Sequence, residues 1–567
     1  MRPSRRPTCD HSRTEHPSRA DVAFDPLIGA ARERPIRALA FDEFDMTHHH
    51  ILTIDLGTSG PKAAVVSTHG TLVGSARASV PTNFGRDGAA EQDAELVWQA
   101  TLEATRRALA AAVEPSSIVG VVASAQYSSI VPVGTDGTPV APMITWMDQR
   151  SSPKRLKRLP GYPRFGDSPL ALAQYLRVHG LAPLESGMSL NHMRWFRYAH
   201  PDLYERTASF LEPVDYVTAR LTGRTTANQC SSFMQMLADN RNVPSAGWHH
   251  DLVEASMIDA DKLPESVPVG SVVGTVLPTI ADALGLPANT PVLSGINDTQ
   301  AGGVAAGAFS GTHAGLALGT TAVIVTHLEK KKVNPLRSLY TMPSPLGSAH
   351  MLSAENGVAG AAVNYFLDSV VYPDDPFVTP ETINDRYRAF DAAAATSKPG
   401  AGGVLFLPWL RGSLAPQGDG RMRGGFLNVG LDTTRNDLAR AVLEGVALNL
   451  RWLQGPVERF IHRRISHYVF YGGGACSDLW SSVMADVLGK PVHQLADAGF
   501  ANSIGTAVFG FDRLGIAEAS DLAKRLRIKG VYEPDPAKRA RYDDLAGIFA
   551  DSFKRTRPLS HRLAKQP

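Results

Sequence analysis

Residues 51–70 read ILTIDLGTSGPKAAVVSTHG, and residues 313–329, HAGLALGTTAVIVTHLE, echo them. In the first copy an apolar run from Ile51 ends in the carboxylate of Asp55. The turn Leu56-Gly57-Thr58-Ser59-Gly60 follows, and a second apolar run covers Lys62 to Ser67. In the second copy Leu316-Ala317-Leu318 leads into Gly319-Thr320-Thr321 and then Ala322 to Thr326. Strand, glycine-hydroxyl turn and strand make a hairpin whose tip offers backbone N–H groups and hydroxyls, the donors a phosphate chain needs. Gly57 and Gly319 lie about half the chain apart. The pattern therefore predicts two similar domains facing each other, with a nucleotide between them.

Composition agrees with that scale. A chain of 567 residues is too long for one core and suits two large domains. With 43% hydrophobic and 20% charged residues it reads as an ordinary globular protein. The 57 basic residues against 55 acidic ones leave a net charge of +2, which argues for neither nucleic acid nor an anionic membrane as partner. No apolar run approaches the roughly 18–20 residues of a membrane span. Cys9, Cys230 and Cys476 form no CxxC pair or disulfide framework, which points to a reduced cytoplasm. Residues 1–46, rich in Arg, Pro, Ser and His, are expected to be a disordered extension without the apolar core of a signal peptide, and His48-His49-His50 is read as lacking a metal site.

The chemistry-bearing residues fall at the ends of expected strands. Asp55 closes a buried strand and suits a water on Mg²⁺, a hard cation that prefers oxygen ligands and keeps its waters. Gly57, Thr58 and Ser59 let backbone amides approach phosphate closely, and Lys62 can neutralise its charge. Asp298, in Ser294-Gly295-Ile296-Asn297-Asp298-Thr299-Gln300, sits between a buried strand and a helix rich in small residues. It is either an N-cap or a general base taking the proton of an attacking hydroxyl. Gly472-Gly473-Gly474, between a strand and a helix, can approach a nucleotide backbone-first. No GxxxxGK[ST], GxGxxG at the first turn, nucleophile elbow or HExxH is present, so P-loop, dehydrogenase, esterase and zinc readings lack support.

Taken in order, IDLGTSGPKA, EQDAELVW, AQYSS with WMDQR, EPVDYVTARLTG, GINDTQAGG, LALGTTAVI and YGGGACSDLWSSVMADVLGKPV resemble the FGGY family of carbohydrate kinases from about Leu52 to Leu526. The resemblance implies an α/β chain of two RNase H-like domains with the actin-like ATPase fold, and ATP, Mg²⁺ and a small sugar in the cleft between them. It places an N-terminal domain at 47–304, a C-terminal domain at 305–550 and a tail at 551–567. By position, Asp298 is implied as general base. Asp55, Gly57, Thr58, Ser59 and Lys62 are implied at the first phosphate site, with Asp55 and Asp298 toward the metal. Gly319 and Thr320 are implied at the second phosphate loop, and Gly473, Gly474 and Asp478 at the adenosine. Sugar contacts are implied for Gln126, Tyr127, Ser128, Trp146, Asp148 and Asp298.

Departures from the family pattern bear on the sugar. Tyr127-Ser128 stands where xylulose kinases usually carry Met-His and glycerol kinases Arg-Glu. His192 replaces the usual lysine, and Gly412-Ser413-Leu414-Ala415-Pro416 replaces GERTP. The expected activity is phosphorylation of a ketopentose such as D-xylulose, with ribulose or a sugar alcohol as alternatives, in the cytoplasm. A homodimer is left open. A catalytically silent sugar-binding module would not need both Asp55 and Asp298. An actin- or chaperone-like ATPase would not need the EQD, AQYSS and WMDQR stretches.

Overall fold

The computed structural model describes residues 49–111, 114–163, 168–245, 247–346, 350–372 and 385–564. The expected extension at 1–46 lies outside them. Both quoted stretches form hairpins. Strand β1 (His50–Gly57) pairs antiparallel with β2 (Gly60–Ser67), and β2 with β3 (Leu72–Arg77). On its other edge β1 runs parallel to β4 (Ile118–Ala125). Beyond β4 lie β5 (Val272–Thr275) and β6 (Pro291–Asn297), giving the order β5-β6-β4-β1-β2-β3.

The second sheet repeats this plan. Strand β7 (Ala314–Leu318) pairs antiparallel with β8 (Thr321–Leu328), which is followed by β9 (Val333–Asn334), β10 (Leu339–Pro343) and β11 (His350–Val358). Strand β12 (Tyr468–Tyr471) runs parallel to β7, and β13 (Val492–Leu495) and β14 (Ile528–Tyr532) complete the order β9-β10-β11-β8-β7-β12-β13-β14. In both sheets the hairpin is central, its first strand lies parallel to a later one, and its second strand runs antiparallel to both neighbours; further antiparallel pairs, β5 with β6, β9 with β10, β10 with β11 and β13 with β14, lie toward the edges. The duplication seen in sequence is thus a duplication of topology.

Helices cover both faces of the central strands, which are buried at successive residues. In the first domain α1 (Ala94–Ala110) and α2 (Pro213–Thr222) cover one face through Val97, Trp98, Val214 and Val217. Asp93 caps α1, accepting N–H bonds from Glu95 and Leu96, and Gly223 ends α2 in the left-handed region at φ 75°. In the second domain α4 (Arg435–Ile461), α5 (Asp478–Leu488) and α7 (Arg539–Leu563) form the outer layer. Helix α7 runs unbroken past residue 550 to Leu563, where a tail was expected.

Between the two sheets lie α3 (Asp298–Ala305) and α6 (Ala501–Arg513). Ala301, Val304, Ala507, Val508 and Phe509 pack on the first sheet through Ile51, Val122, Leu293 and Ile296. Ala305 and Ala501 pack with Val469, Tyr471 and Leu495 of the second. A Cβ on Gly505 would overlap the Ala301 carbonyl oxygen, so the glycine is what lets the two helices cross so closely. This shared helical layer sets the first hairpin, Asp298 and the second hairpin in one region.

Candidate active site

Gly57 pairs with Gly60 across the two-residue tip Thr58-Ser59. Gly60 sits at φ 128°, and a Cβ there would overlap the Ala78 carbonyl oxygen, so the turn requires glycine. The Thr58 hydroxyl donates to Gln126 Oε1 at 2.6 Å and accepts from Trp146 Nε1 at 3.1 Å. The Thr58 carbonyl accepts from Gln92 Nε2 at 2.8 Å. Three of the sequence stretches therefore meet on one threonine. Its hydroxyl ties the turn to the sugar-side residues, which leaves the exposed Ser59 and the backbone amides as the donors facing outward.

Asp55 is buried at the end of β1. Lys62 Nζ lies 3.3 Å from its Oδ2, Ser124 Oγ donates to Oδ1 at 3.2 Å, and Asn502 Nδ2 from α6 approaches both oxygens at 3.4 and 3.5 Å. Lys62 thus pairs with the carboxylate rather than standing apart from it.

Asp298 occupies the first turn of α3 but does not cap it. Asn297 is the cap: its side chain accepts from Gln300 N–H at 2.9 Å, and the Gln300 side chain accepts from Asn297 N–H at 3.2 Å. The Asp298 carboxylate is thereby left out of capping, and among the described residues its Oδ1 accepts only from Thr299 within its own turn, by N–H at 2.7 Å and by hydroxyl at 3.5 Å. Burial and then the charge of Asp55 push its carboxyl up to about 7. A carboxylate with a pKa near neutrality is matched to taking a proton from a hydroxyl.

The second hairpin is held from behind. Gly360 N–H donates to the Gly319 carbonyl at 2.9 Å and Ala359 N–H to that of Thr320 at 3.0 Å, while both turn residues are exposed and a Cβ on Gly319 would meet nothing. The triple glycine lies against this turn: a Cβ on Gly472 or Gly474 would collide with Leu318, whereas Gly473 faces open space. Asp478, exposed at the start of α5, binds Lys529 Nζ at 2.5 Å and Gln494 Nε2 at 2.9 Å, and the lysine holds its carboxyl below the usual range.

Gln126 and Trp146 both bind the Thr58 hydroxyl, and Tyr127 lies near enough to Asp298 to feel its charge. The Gln126 side chain is buried and its Nε2 has no partner among the described residues. Ser128 takes φ 62°, a strained value for a residue with a Cβ, as at other binding loops. Asp148 is 0% exposed; its oxygens accept from Ala90 N–H at 2.9 Å and from the Arg150 guanidinium at 2.7 Å. Arg150 also binds Glu91 at 2.5 Å and lies 4.3 Å over the Trp195 ring. The EQD and WMDQR stretches are therefore one buried network, with Asp148 inside the wall.

Among the described residues no three His, Cys, Asp or Glu side chains group as a metal site. Asp55 and Asp298 alone suit Mg²⁺, which is commonly held by one or two carboxylates while phosphate oxygens and waters complete its shell.

Residues 50–305 match the model of the FGGY carbohydrate kinase N-terminal domain, and residues 314–511 that of the C-terminal domain. The chain belongs to the FGGY family of carbohydrate kinases. It is 26% identical over 523 residues to a xylulose kinase of Staphylococcus epidermidis, covering 91% of this chain and 98% of that one. It is 23% identical to a gluconokinase of Bacillus subtilis, covering 88% and 94%. Its fold is similar to that of the solved xylulose kinase from Lactobacillus acidophilus, with TM-score 0.77 at 20% identity over 91% of this chain and all of that one.

As an FGGY kinase, the protein has cleft residues that no sequence stretch announced. Glu355 is paired with Val323, and Val325 and Tyr340 with Ser353, so these side chains share one face of the second sheet. Val323, Val325 and Tyr340 on that face pack with Tyr127 and Phe233 of the first domain. Glu355 thus lies on the face that meets Tyr127, and burial and the charge of Glu185 raise its carboxyl. Its signal was only strand alternation, legible once the pairing is known. Beneath the Ser128 turn lies Glu212, fully buried, with Oε2 accepting Ser129 N–H at 3.4 Å and its carboxyl raised well above the usual range by burial. His192 is also buried there; burial pushes its imidazole down to about 4, so it is neutral.

Proposed function

We propose that the protein transfers the γ-phosphate of ATP to a hydroxyl of a small neutral sugar, most closely a ketopentose such as D-xylulose. The observation that carries this reading is Asp298: released from capping by Asn297, raised to about 7, and set beside Asp55 near the first glycine-hydroxyl turn. In the reaction the sugar hydroxyl gives its proton to Asp298 as its oxygen attacks the γ-phosphorus in line, and ADP leaves. The Gly57-Thr58-Ser59 turn and the Thr320 amide hold the phosphates, with Gly319, whose own N–H is taken by the Thr321 carbonyl at 2.9 Å, shaping the second turn, and Gly473, Gly474 and Asp478 lie along the adenosine. Asp55 and Asp298 would hold Mg²⁺, which neutralises phosphate charge. Gln126, Tyr127, Ser128 and Trp146 orient the sugar, with Asp148 fixing Arg150 behind them. Closure of the 47–304 and 305–550 domains over the substrates excludes water.

The neutral sugar is favoured over an aldonate because the carboxylates Asp55 and Glu355 act on Asp298, Asp298 and Glu355 act on Tyr127, and Glu185 acts in turn on Glu355. The one cation among the charges that Asp298 senses, Lys62, is already paired with Asp55. No helix among the described residues is long and apolar enough to cross a membrane. Cys230 and Cys476 are thiols, in keeping with the reduced cytoplasm we propose as the site of action. ADP release measured across D-xylulose, ribulose, sugar alcohols and gluconate tests the reading. Sugar-stimulated release with a neutral sugar is expected, and Asp298→Asn is expected to lose at least about a thousandfold in kcat while keeping nucleotide affinity. A variant turning over at the wild-type rate removes Asp298 from the chemistry.

A further inference from the structure

Away from the cleft, on the outer edge of the second domain, two adjoining cavities of about 250 and 410 Å³ open between the turn Pro335–Arg337, the C-terminal half of α4 and the helix α7. They share Arg337, Pro456 and Arg459. Lys332 lines the first and Arg451 the second, and no carboxylate lines either. In a chain of 57 basic and 55 acidic residues, four cations lining one groove, of which only Arg451 is paired with a carboxylate among the described residues, are a local departure from balance.

The cations differ in how they are held. Lys332 is fixed by the Phe460 carbonyl at 2.6 Å and His462 Nε2 at 2.8 Å, so its charge is anchored. Arg451 binds Asp543 through Nη2, while its Nη1 is buried and has no partner among the described residues. A buried guanidinium N–H without an acceptor is costly, and a ligand oxygen removes that cost. Arg337 and Arg459 are exposed and make no ion pair among the described residues. Arg459 folds back over Gly455, its guanidinium 3.4 Å from where a Cβ would stand, and Gly547 on the far wall faces open space. The absent side chains leave the groove open between the guanidiniums.

We propose that this groove binds a small molecule bearing two or more phosphate groups. Planar guanidinium forks match phosphate oxygens bidentately, and a doubly charged group needs more than one of them. Sharing Arg337 and Arg459 between two cavities lets them bridge two such groups, while Trp452 offers an apolar side for the ligand's body. The site is separate from Asp55, Asp298 and both hairpin turns, and it does not depend on which sugar the cleft accepts.

The test is isothermal titration calorimetry of inorganic tripolyphosphate and of inorganic phosphate into the full chain, with the cleft filled by sugar and a non-hydrolysable ATP analogue. One saturable site for tripolyphosphate is expected, weakened at least about tenfold in the double variant Arg337→Glu/Arg459→Glu, with phosphate alone at least about tenfold weaker. Sugar turnover without the probe should be unchanged in that variant. Arg459→Glu alone, at an exposed position, carries the same test should the double variant not fold. No saturable binding, or binding equal in the variants, overturns the site. Phosphate binding as tightly as tripolyphosphate overturns the requirement for two groups.

Discussion

At the scale of single residues the chemistry rests on where a carboxylate stands relative to a helix end. Asp298 and Asn297 are adjacent, and sequence makes either a plausible cap; the capping box with Gln300 gives that task to Asn297. Asp298 was therefore legible as either a cap or the general base, because one residue of register separates the two roles, and the cap falls to Asn297. Its carboxyl near 7 has a direct consequence: kcat/KM, which reports the free enzyme, should rise with pH through about 7 rather than near 4. Asp55→Asn removes a charge that raises it, so any residual activity should show that limb moved to lower pH. A wild-type profile flat from pH 5 upward would sink the assignment. Glu355 gives a second prediction. Its charge opposes an acidic sugar, so Glu355→Gln should raise the gluconate-to-xylulose ratio of kcat/KM about tenfold, the effect of roughly one pKa unit of interaction. An unchanged ratio would show that the carboxylate does not face the sugar.

At the scale of elements, the two hairpins were readable because each is local: turn chemistry and the flanking apolar runs lie within a few residues. The contacts that set the cleft were not, because they join distant strands. Glu355 lies on the face that meets Tyr127 only through its register with Val323, and Asn502 reaches Asp55 only because α6 crosses between the sheets. That crossing is sensitive to one methyl group. A Cβ on Gly505 would also come within 2.7 Å of Ala305 N, beside its overlap with the Ala301 carbonyl. Gly505→Ala should therefore force α3 and α6 apart and cost about 1–3 kcal/mol by overpacking, while also displacing Asp298. Urea denaturation read with kcat checks this; a variant as stable and as active as wild type would show that the helices have slack.

At the scale of the whole molecule, the echo of LGTSG in LGTTA announced two sheets of one plan, and the topology bears that out. The echo could not announce what the far ends of those strands carry. His313, His467 and His493 stand just before or within three neighbouring strands, β7, β12 and β13, and their rings stack at 5.0 and 4.2 Å. They are scattered in sequence and meet only through sheet order. His467, in the middle, is held down to about 4 by burial and by the other two imidazoles. An unfolded histidine binds its proton near 6.5, so the unfolded chain takes up more protons at this site as pH falls. The contribution of His467 to stability is thus full above about 6.5 and is lost between there and about 4. Glu212 and Asp215, whose carboxyls are raised by burial, act with the opposite sign and gain stability as pH falls, so the wild-type curve alone mixes the two. The difference between proteins separates them. His467→Phe keeps a ring in the stack but cannot protonate, so its melting temperature should fall less than that of wild type between pH 7 and pH 5. Parallel curves over that range would mean that the stack carries no proton-linked stability, and a variant that loses more would reverse its sign.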